Sequence, residues 1–225
     1  MNESRAIVER VSRINAHYQH VELAVDDPAL RAIKPGESLL VHLGDPDEER
    51  EQWDPYLREQ WWPAGVTNKN LLLIERPLDS RYRPQQVISV LGPVGQPYRF
   101  RKSLRNVLLI AYDTEPIPLT CMIRALLNND ISVTLVLLGR ALQYDTNHLP
   151  ELVEVIHGDE IGVSWPEMVM TLGWADQIFV AAAQDDELLH FAEVLRVTKE
   201  MRIEVPKNYI FGVFQPTLPC GVGAC

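Results

Sequence analysis

The stretch NVLLIAYDTEPIPLTCMIRALLNNDISVTLVLLG, residues 106–139, decides the fold. It opens on a continuous apolar run, residues 106–111, as expected of a strand buried on both faces of a parallel sheet. Leu119, Met122, Ile123, Leu126 and Leu127 then recur at helical spacing. Asn128-Asn129-Asp130 favour a turn and end that helix. A second strand, residues 131–138, is closed by Gly139. Strand, helix and strand in this order begin an α/β layer.

Outward toward the C-terminus the rhythm continues. A third strand is expected at residues 152–156, a helix from about Trp165 to Leu172, and a fourth strand at residues 176–181. A helix over about 185–199 leads to a fifth strand at residues 209–214. The spacing predicts a five-stranded, parallel, doubly wound domain over residues 103–214. Toward the N-terminus the pattern changes at about Arg101-Lys102-Ser103. Short runs at residues 20–25, 38–43, 70–75 and 86–91 are separated by turn signals such as Lys34-Pro35-Gly36. Closely spaced strands of this kind predict a small antiparallel β-barrel over residues 1–102. The expected fold class is therefore β followed by α/β, with a cysteine loop over residues 215–225.

Composition narrows the function. A chain of 225 residues with 46% hydrophobic content can bury a real core. No apolar run is long enough for a membrane span, and the opening MNESRAIVER lacks a signal peptide's apolar stretch. Three cysteines are too few for a disulfide framework, which favours a reducing cytoplasm. A formal charge of -10 argues against nucleic acid, whose phosphates call for a basic surface. His17, His20, His148, His157 and His190 form no ligand spacing, and Cys121 falls on the apolar helix as a core residue.

The last six residues, Cys220-Gly221-Val222-Gly223-Ala224-Cys225, carry the clearest chemistry. Two cysteines separated by four residues match the first two ligands of a plant-type [2Fe–2S] loop. Glycine permits the tight turns that wrap a cluster. A local disulfide or two idle thiols fit the same hexapeptide. A cluster needs four ligands. With Cys121 on a helix, the rest would come from residues beyond position 225 or from a partner chain.

Four stretches together resemble one family, the electron-transfer subunit of heteromeric NAD-linked dihydroorotate dehydrogenases, within the ferredoxin-reductase-like flavoproteins. Lys34-Pro35-Gly36-Glu37-Ser38-Leu39-Leu40-Val41 looks like its first barrel motif, and Val90-Leu91-Gly92-Pro93-Val94-Gly95 is similar to its LGPLG turn. Residues 176–183, preceded by Trp174, sit where its fourth nucleotide-domain strand lies, and Cys220 to Cys225 match the opening of its cluster loop. The resemblance implies FAD on the barrel and a [2Fe–2S] cluster at Cys220 and Cys225. It also implies a catalytic oxidoreductase partner in a hetero-oligomer.

Two departures qualify that implication. The family grips its flavin with an Arg-x-aromatic-hydroxyl motif. The nearest stretch here, Pro55-Tyr56-Leu57-Arg58-Glu59-Gln60-Trp61-Trp62-Pro63, keeps an arginine and aromatic residues without the hydroxyl. On the resemblance, Arg58 meets the flavin phosphates, Trp61 or Trp62 lies against the ring, and Gly92 and Gly95 belong to the cofactor turn. Barrel packing or a partner surface accounts for the tryptophans equally, and Arg76 is a weaker candidate for the cation. The family's glycine-rich pyrophosphate loop is replaced by Ala111-Tyr112-Asp113-Thr114-Glu115-Pro116, with no glycine and two carboxylates where phosphate would sit. NAD(P) binding is not expected there. The expected function is an electron-transfer subunit relaying electrons between a partner and the cluster. The alternatives are a non-catalytic assembly or regulatory subunit and a cluster-only subunit without flavin.

Overall fold

The computed structural model describes residues 2–44, 57–79 and 81–215. The chain divides into two compact units, the first running to Tyr98 and the second beginning at Arg99. Cys220 and Cys225 lie outside the described residues.

The first unit is antiparallel throughout. β1 (Asn2–Arg13) and β2 (Tyr18–Val25) are followed by the one-turn helix α1 (Pro28–Arg31). Then come β3 (Glu37–His42), β4 (Glu59–Trp61), β5 (Pro63–Val66), β6 (Leu72–Pro77) and β7 (Val87–Gly95). They join in the order β4-β3-β7-β1-β2-β6-β5. β4 and β5 stand at opposite ends of that order, yet Trp62 alone separates them in the chain. The sheet must therefore curl until its two edges meet, which makes the expected barrel. Val8, Val21, Leu23, Leu39, Ile74 and Ile88 point inward and are fully buried. Each such aliphatic side chain contributes about 1.5–3 kcal/mol of burial. Asp27 caps α1 by accepting the Ala29 N–H at 2.8 Å, and the helix delivers Leu30 into the core.

β1 is a strand that the sequence pattern does not announce. Its pairing with β2 shifts register between Val8 and Arg10, a bulge that inserts one residue. The inward side chains consequently fall at Ala6, Val8 and Val11, a spacing that is not period two. Short β4 and β5 are likewise additions to the four strands expected here.

The second unit holds β8 (Asn106–Tyr112), α2 (Ile117–Leu127), β9 (Ser132–Leu138), β10 (Val153–His157), α3 (Met168–Trp174), β11 (Gln177–Ala182), α4 (Glu187–Met201) and β12 (Ile210–Val213). The sheet order is β10-β9-β8-β11-β12, parallel throughout. Strand order runs one way from β8 to β10 and the other way from β11 to β12, so the topological switch lies between β8 and β11. In open α/β sheets the crevice outside the carboxyl ends of such strands is the usual ligand site.

Boundaries shift locally. α3 begins at Met168, and Trp165 is buried in the loop before it. α4 begins at Glu187 after a 3-10 turn over Gln184–Asp186. Leu152 precedes β10 and is 78% exposed. Cys121 is buried on α2, its thiol donating to the Pro118 carbonyl at 3.1 Å.

Candidate functional site

In the barrel, Arg58 enters β4 and turns inward. Its side chain is 7% exposed and its guanidinium donates to Glu3 Oε1 at 2.6 Å and Ser89 Oγ at 3.0 Å. It also reaches the Leu40 and Ser89 carbonyls, each at 3.4 Å. Ser89 Oγ in turn donates to Glu3 Oε1 at 2.6 Å. A charge buried this deeply needs such company, because desolvation would otherwise cost several kcal/mol.

Trp61 is fully buried. Its ring meets Tyr82 edge-on with centroids 5.4 Å apart, and Arg76 lies over it at 5.1 Å. Its indole N–H donates to Glu59 Oε2 at 3.1 Å. Glu59 also accepts from Arg76 at 2.6 Å and Arg81 at 3.1 Å, so Arg76 too is engaged by the barrel. Arg81 is held in addition by Asp79 at 2.7 Å. Burial would raise the Asp79 carboxyl, but hydrogen bonds and charge from Arg81 outweigh it and hold the group below its ordinary range. Trp62 is buried as well, and among the described residues its indole N–H has no acceptor.

The two glycines serve the backbone. Gly95 (φ +101°) pairs with Glu37 across the β3–β7 ladder, and a Cβ on it would sit 2.9 Å from the Gly36 carbonyl oxygen. Gly92 packs under Leu39, whose Cδ2 would be 2.9 Å from an added Cβ. Weighed against a flavin diphosphate, these residues do not fit as seated. The guanidinium of Arg58 is spent on Glu3 and Ser89, and Trp61 presents no face outward.

At the carboxyl edge of the second unit the loop after β8 is rebuilt. Asp113 takes the left-handed conformation (φ +55°) that glycine prefers, and its N–H donates to the Leu138 carbonyl at 3.1 Å. Its Oδ1 accepts the Arg140 N–H at 2.9 Å. Gly139 is also left-handed (φ +59°), and a Cβ there would lie 2.0 Å from that carboxylate oxygen. The other oxygen, Oδ2, stands 3.6 Å from His190 Nε2. The His190 ring lies against Tyr112 with centroids 4.2 Å apart and planes tilted by 35°, and the Tyr112 hydroxyl donates to Glu193 Oε2 at 3.3 Å. Burial, then the charge and hydrogen bond of Glu193, push the Tyr112 phenol above its ordinary pKa, with Asp113 adding to the effect. Side chains thus fill the place where a glycine-rich turn would leave bare backbone. α2 follows with a proline at its N-cap and no side-chain cap.

Among the described residues no group of three or more His, Cys, Asp or Glu is placed to hold a metal. No helix among them is long and apolar enough to cross a membrane.

No protein-family model and no curated protein matches this chain. Solved structures do. A ferredoxin reductase in carbazole 1,9a-dioxygenase superposes with a TM-score of 0.65 at 17% identity, over 95% of this chain and 69% of that one. An Amycolatopsis cytochrome P450 reductase gives 0.64 at 15% identity, over 95% and 69%. A flavohemoglobin from Malassezia yamatoensis, with bound FAD and heme, gives 0.63 at 12% identity, over 94% and 60%. This chain has the ferredoxin-reductase-like fold. At such identities the likeness establishes architecture and leaves chemistry to the residues.

Within the ferredoxin-reductase-like frame, four residues that matter locally escape sequence reasoning: Glu3, Ser89, His190 and Glu193. His190 and Glu193 carry a recoverable signal. They stand three apart on a helix following the strand beside β8, so they share a face that can meet residue 112. Glu3 and Ser89 carry none, because they lie 55 and 31 residues from Arg58.

Proposed function

We propose that this chain is an electron-transfer subunit of a multi-component oxidoreductase that takes no nicotinamide dinucleotide at its α/β unit. Electrons pass instead through a partner subunit and a [2Fe–2S] centre for which Cys220 and Cys225 supply two ligands. The supporting observation is Asp113, seated in a left-handed turn with its carboxylate against Gly139 on an otherwise intact ferredoxin-reductase-like frame. A pyrophosphate brought to that turn would meet a carboxylate instead of bare N–H groups, and like charges in a partly desolvated cleft repel. Residues 215–225 are, on this reading, the opening of the cluster loop. The cluster and any flavin supply the redox chemistry, and the protein supplies position and surroundings.

FAD enters this reading through the fold, since one structural neighbour carries it. On this barrel it would require Arg58 to exchange Glu3 for phosphate. The internal engagement of Arg58 favours a second reading, an assembly or regulatory subunit that keeps the frame and has lost its cofactors.

A visible spectrum of anaerobically purified protein, with iron and sulfide analysis, separates the two. Cluster absorption that depends on Cys220 and Cys225, once the missing thiolates are supplied, supports the first. A colourless protein under the same conditions overturns it in favour of the second. Isothermal titration should show no NADH or NADPH binding at millimolar concentration, and micromolar binding would refute the closed-turn argument. Replacing Tyr112, Asp113 and Glu115 with glycine should raise the affinity.

A further inference from the structure

The carboxyl edge of the parallel sheet exposes large apolar side chains that no other described residue covers. At the start of α4, Leu188 is 75% exposed and Leu189 66% exposed. Ile161, in the loop after β10, is 91% exposed, and Phe214, just past β12, is 41% exposed. Phe214 and the start of α4 form one stitched surface. Phe214 meets Phe191, one turn beyond Leu188, with centroids 5.6 Å apart. Gln215 N–H donates to Glu187 Oε1, and Gln184 donates to the Gln215 carbonyl at 2.5 Å. Ile161 lies in the loop after β10, at the same carboxyl edge as Tyr112, whose ring lies against His190 of α4 with centroids 4.2 Å apart. Exposed aliphatic clusters rimmed by polar groups mark interaction surfaces.

The rim states what the occupant looks like. The segments following β8, β10 and β11, residues 113–116, 158–167 and 183–187, contain eight Asp or Glu and no Lys or Arg. The turn after β9 adds one cation, Arg140. Among the described residues the carboxylates form no metal group, so they are not gathered around an ion. Such a rim repels phosphate surfaces and repels a second copy of a chain whose net charge is -10. It attracts lysine and arginine.

We infer that the carboxyl edge of the α/β unit is a docking surface for a protein partner that presents aliphatic side chains ringed by Lys and Arg. Leu188 and Leu189, with Ile161, supply the apolar centre. Glu160, Asp185 and Asp186 supply orientation and on-rate, as charged rims do. Surface once available to a dinucleotide becomes surface for a protein. This goes beyond the redox reading and needs neither flavin nor cluster.

The test uses the full chain and three labelled peptides followed by fluorescence anisotropy: an amphipathic leucine–lysine helix, its leucine–glutamate counterpart, and a lysine-only peptide. The leucine–lysine helix should bind saturably and the other two should not. Leu188→Ser with Leu189→Ser should weaken binding about tenfold or more, a change of about 1.4 kcal/mol. Glu160→Gln, Asp185→Asn and Asp186→Asn together should weaken it at low salt and flatten its salt dependence, as expected of screened charges. Glu187 is left intact because it holds the Gln215 backbone. Ile203→Ser, an exposed aliphatic site beyond the far end of α4, should change nothing. Near-ultraviolet circular dichroism confirms that each variant is folded. Equal binding of the leucine–glutamate helix overturns the inference. So does a loss in Ile203→Ser matching that of the leucine pair, or no saturable binding of the leucine–lysine helix. A colourless protein that binds the helix would fail the redox reading and keep this one.

Discussion

Arg58 in the barrel and Asp113 at the edge of the parallel sheet are both charges standing where the fold's cofactors are expected, and they are neutralised in different ways. Arg58 is enclosed and matched by a carboxylate, a hydroxyl and two carbonyls. Asp113 is matched by a backbone N–H on one oxygen and a histidine on the other, at a turn that faces solvent. The enclosed charge is an element of stability, since removing it takes away the cation that matches Glu3. On the proposed reading the edge charge is an element of exclusion, acting on what can approach the turn.

The largest effect should come from Arg58→Ala. Losing the cation removes the charge that matches the partly buried Glu3 carboxylate and the donor to Ser89 Oγ, and the barrel should lose about 3 kcal/mol. Denaturant unfolding reads this directly. A loss under about 1 kcal/mol would show that Glu3 finds water instead, and would break the contrast with Asp113.

Gly139→Ala comes next. A Cβ there collides with the Asp113 carboxylate at a left-handed position, so a cost of about 2 kcal/mol is expected. Asp113→Gly removes the collision, and the double variant should recover about 1 kcal/mol of that cost in a mutant cycle. Strict additivity would show that the two residues do not share one space.

The third effect is pH-dependent. Burial and Glu193 raise the Tyr112 phenol above its ordinary value of 10.0. The native state therefore holds that proton more tightly than the unfolded chain. Its stabilising contribution is complete below about pH 10 and is lost as pH rises through the folded value. Alkaline absorbance titration should show one late-titrating phenol fewer in Tyr112→Phe. Glu193→Gln should bring that phenol down, and an unchanged titration would detach Tyr112 from Glu193.

The smallest effect is Arg81→Ala. Its side chain is 45% exposed, and its pairs with Asp79 and Glu59 should be worth under about 1 kcal/mol and fade with salt. A loss equal to that of Arg58→Ala would mean that enclosure is not what distinguishes the buried arginine.

The α/β unit was legible because its strands are buried on both faces. Residues 107–111 form a continuous apolar run, and residues 131–138 are apolar but for Ser132 and Thr134. β1 was illegible for the converse reason. Its bulge places Ala6, Val8 and Val11 inward at a mixed spacing, and the charged residues between them read as coil. The candidate site divides the same way. Asp113 and Tyr112 were visible as bulk and charge where glycine was expected, since that reading needs only local sequence. The seating of Arg58 and Trp61 depends on residues far away in the chain, and motif spacing carries no information about them. The tail cysteines rest on spacing alone and lie outside the described residues.

β1 has a consequence for how the protein is made. It pairs with β2 on one side and with β7 on the other. During synthesis the β1–β2 pair can close early, but the opposite side of β1 stays unpaired until Val87–Gly95 has emerged. At about 5–20 residues per second that interval lasts several seconds. Throughout it the nascent chain carries an open strand edge with half of a barrel's apolar interior attached, the kind of surface that templates wrong pairings. The charged residues that hide β1 from sequence reading, Arg5, Glu9 and Arg10, stand along that waiting strand, where charge is expected to oppose such pairings.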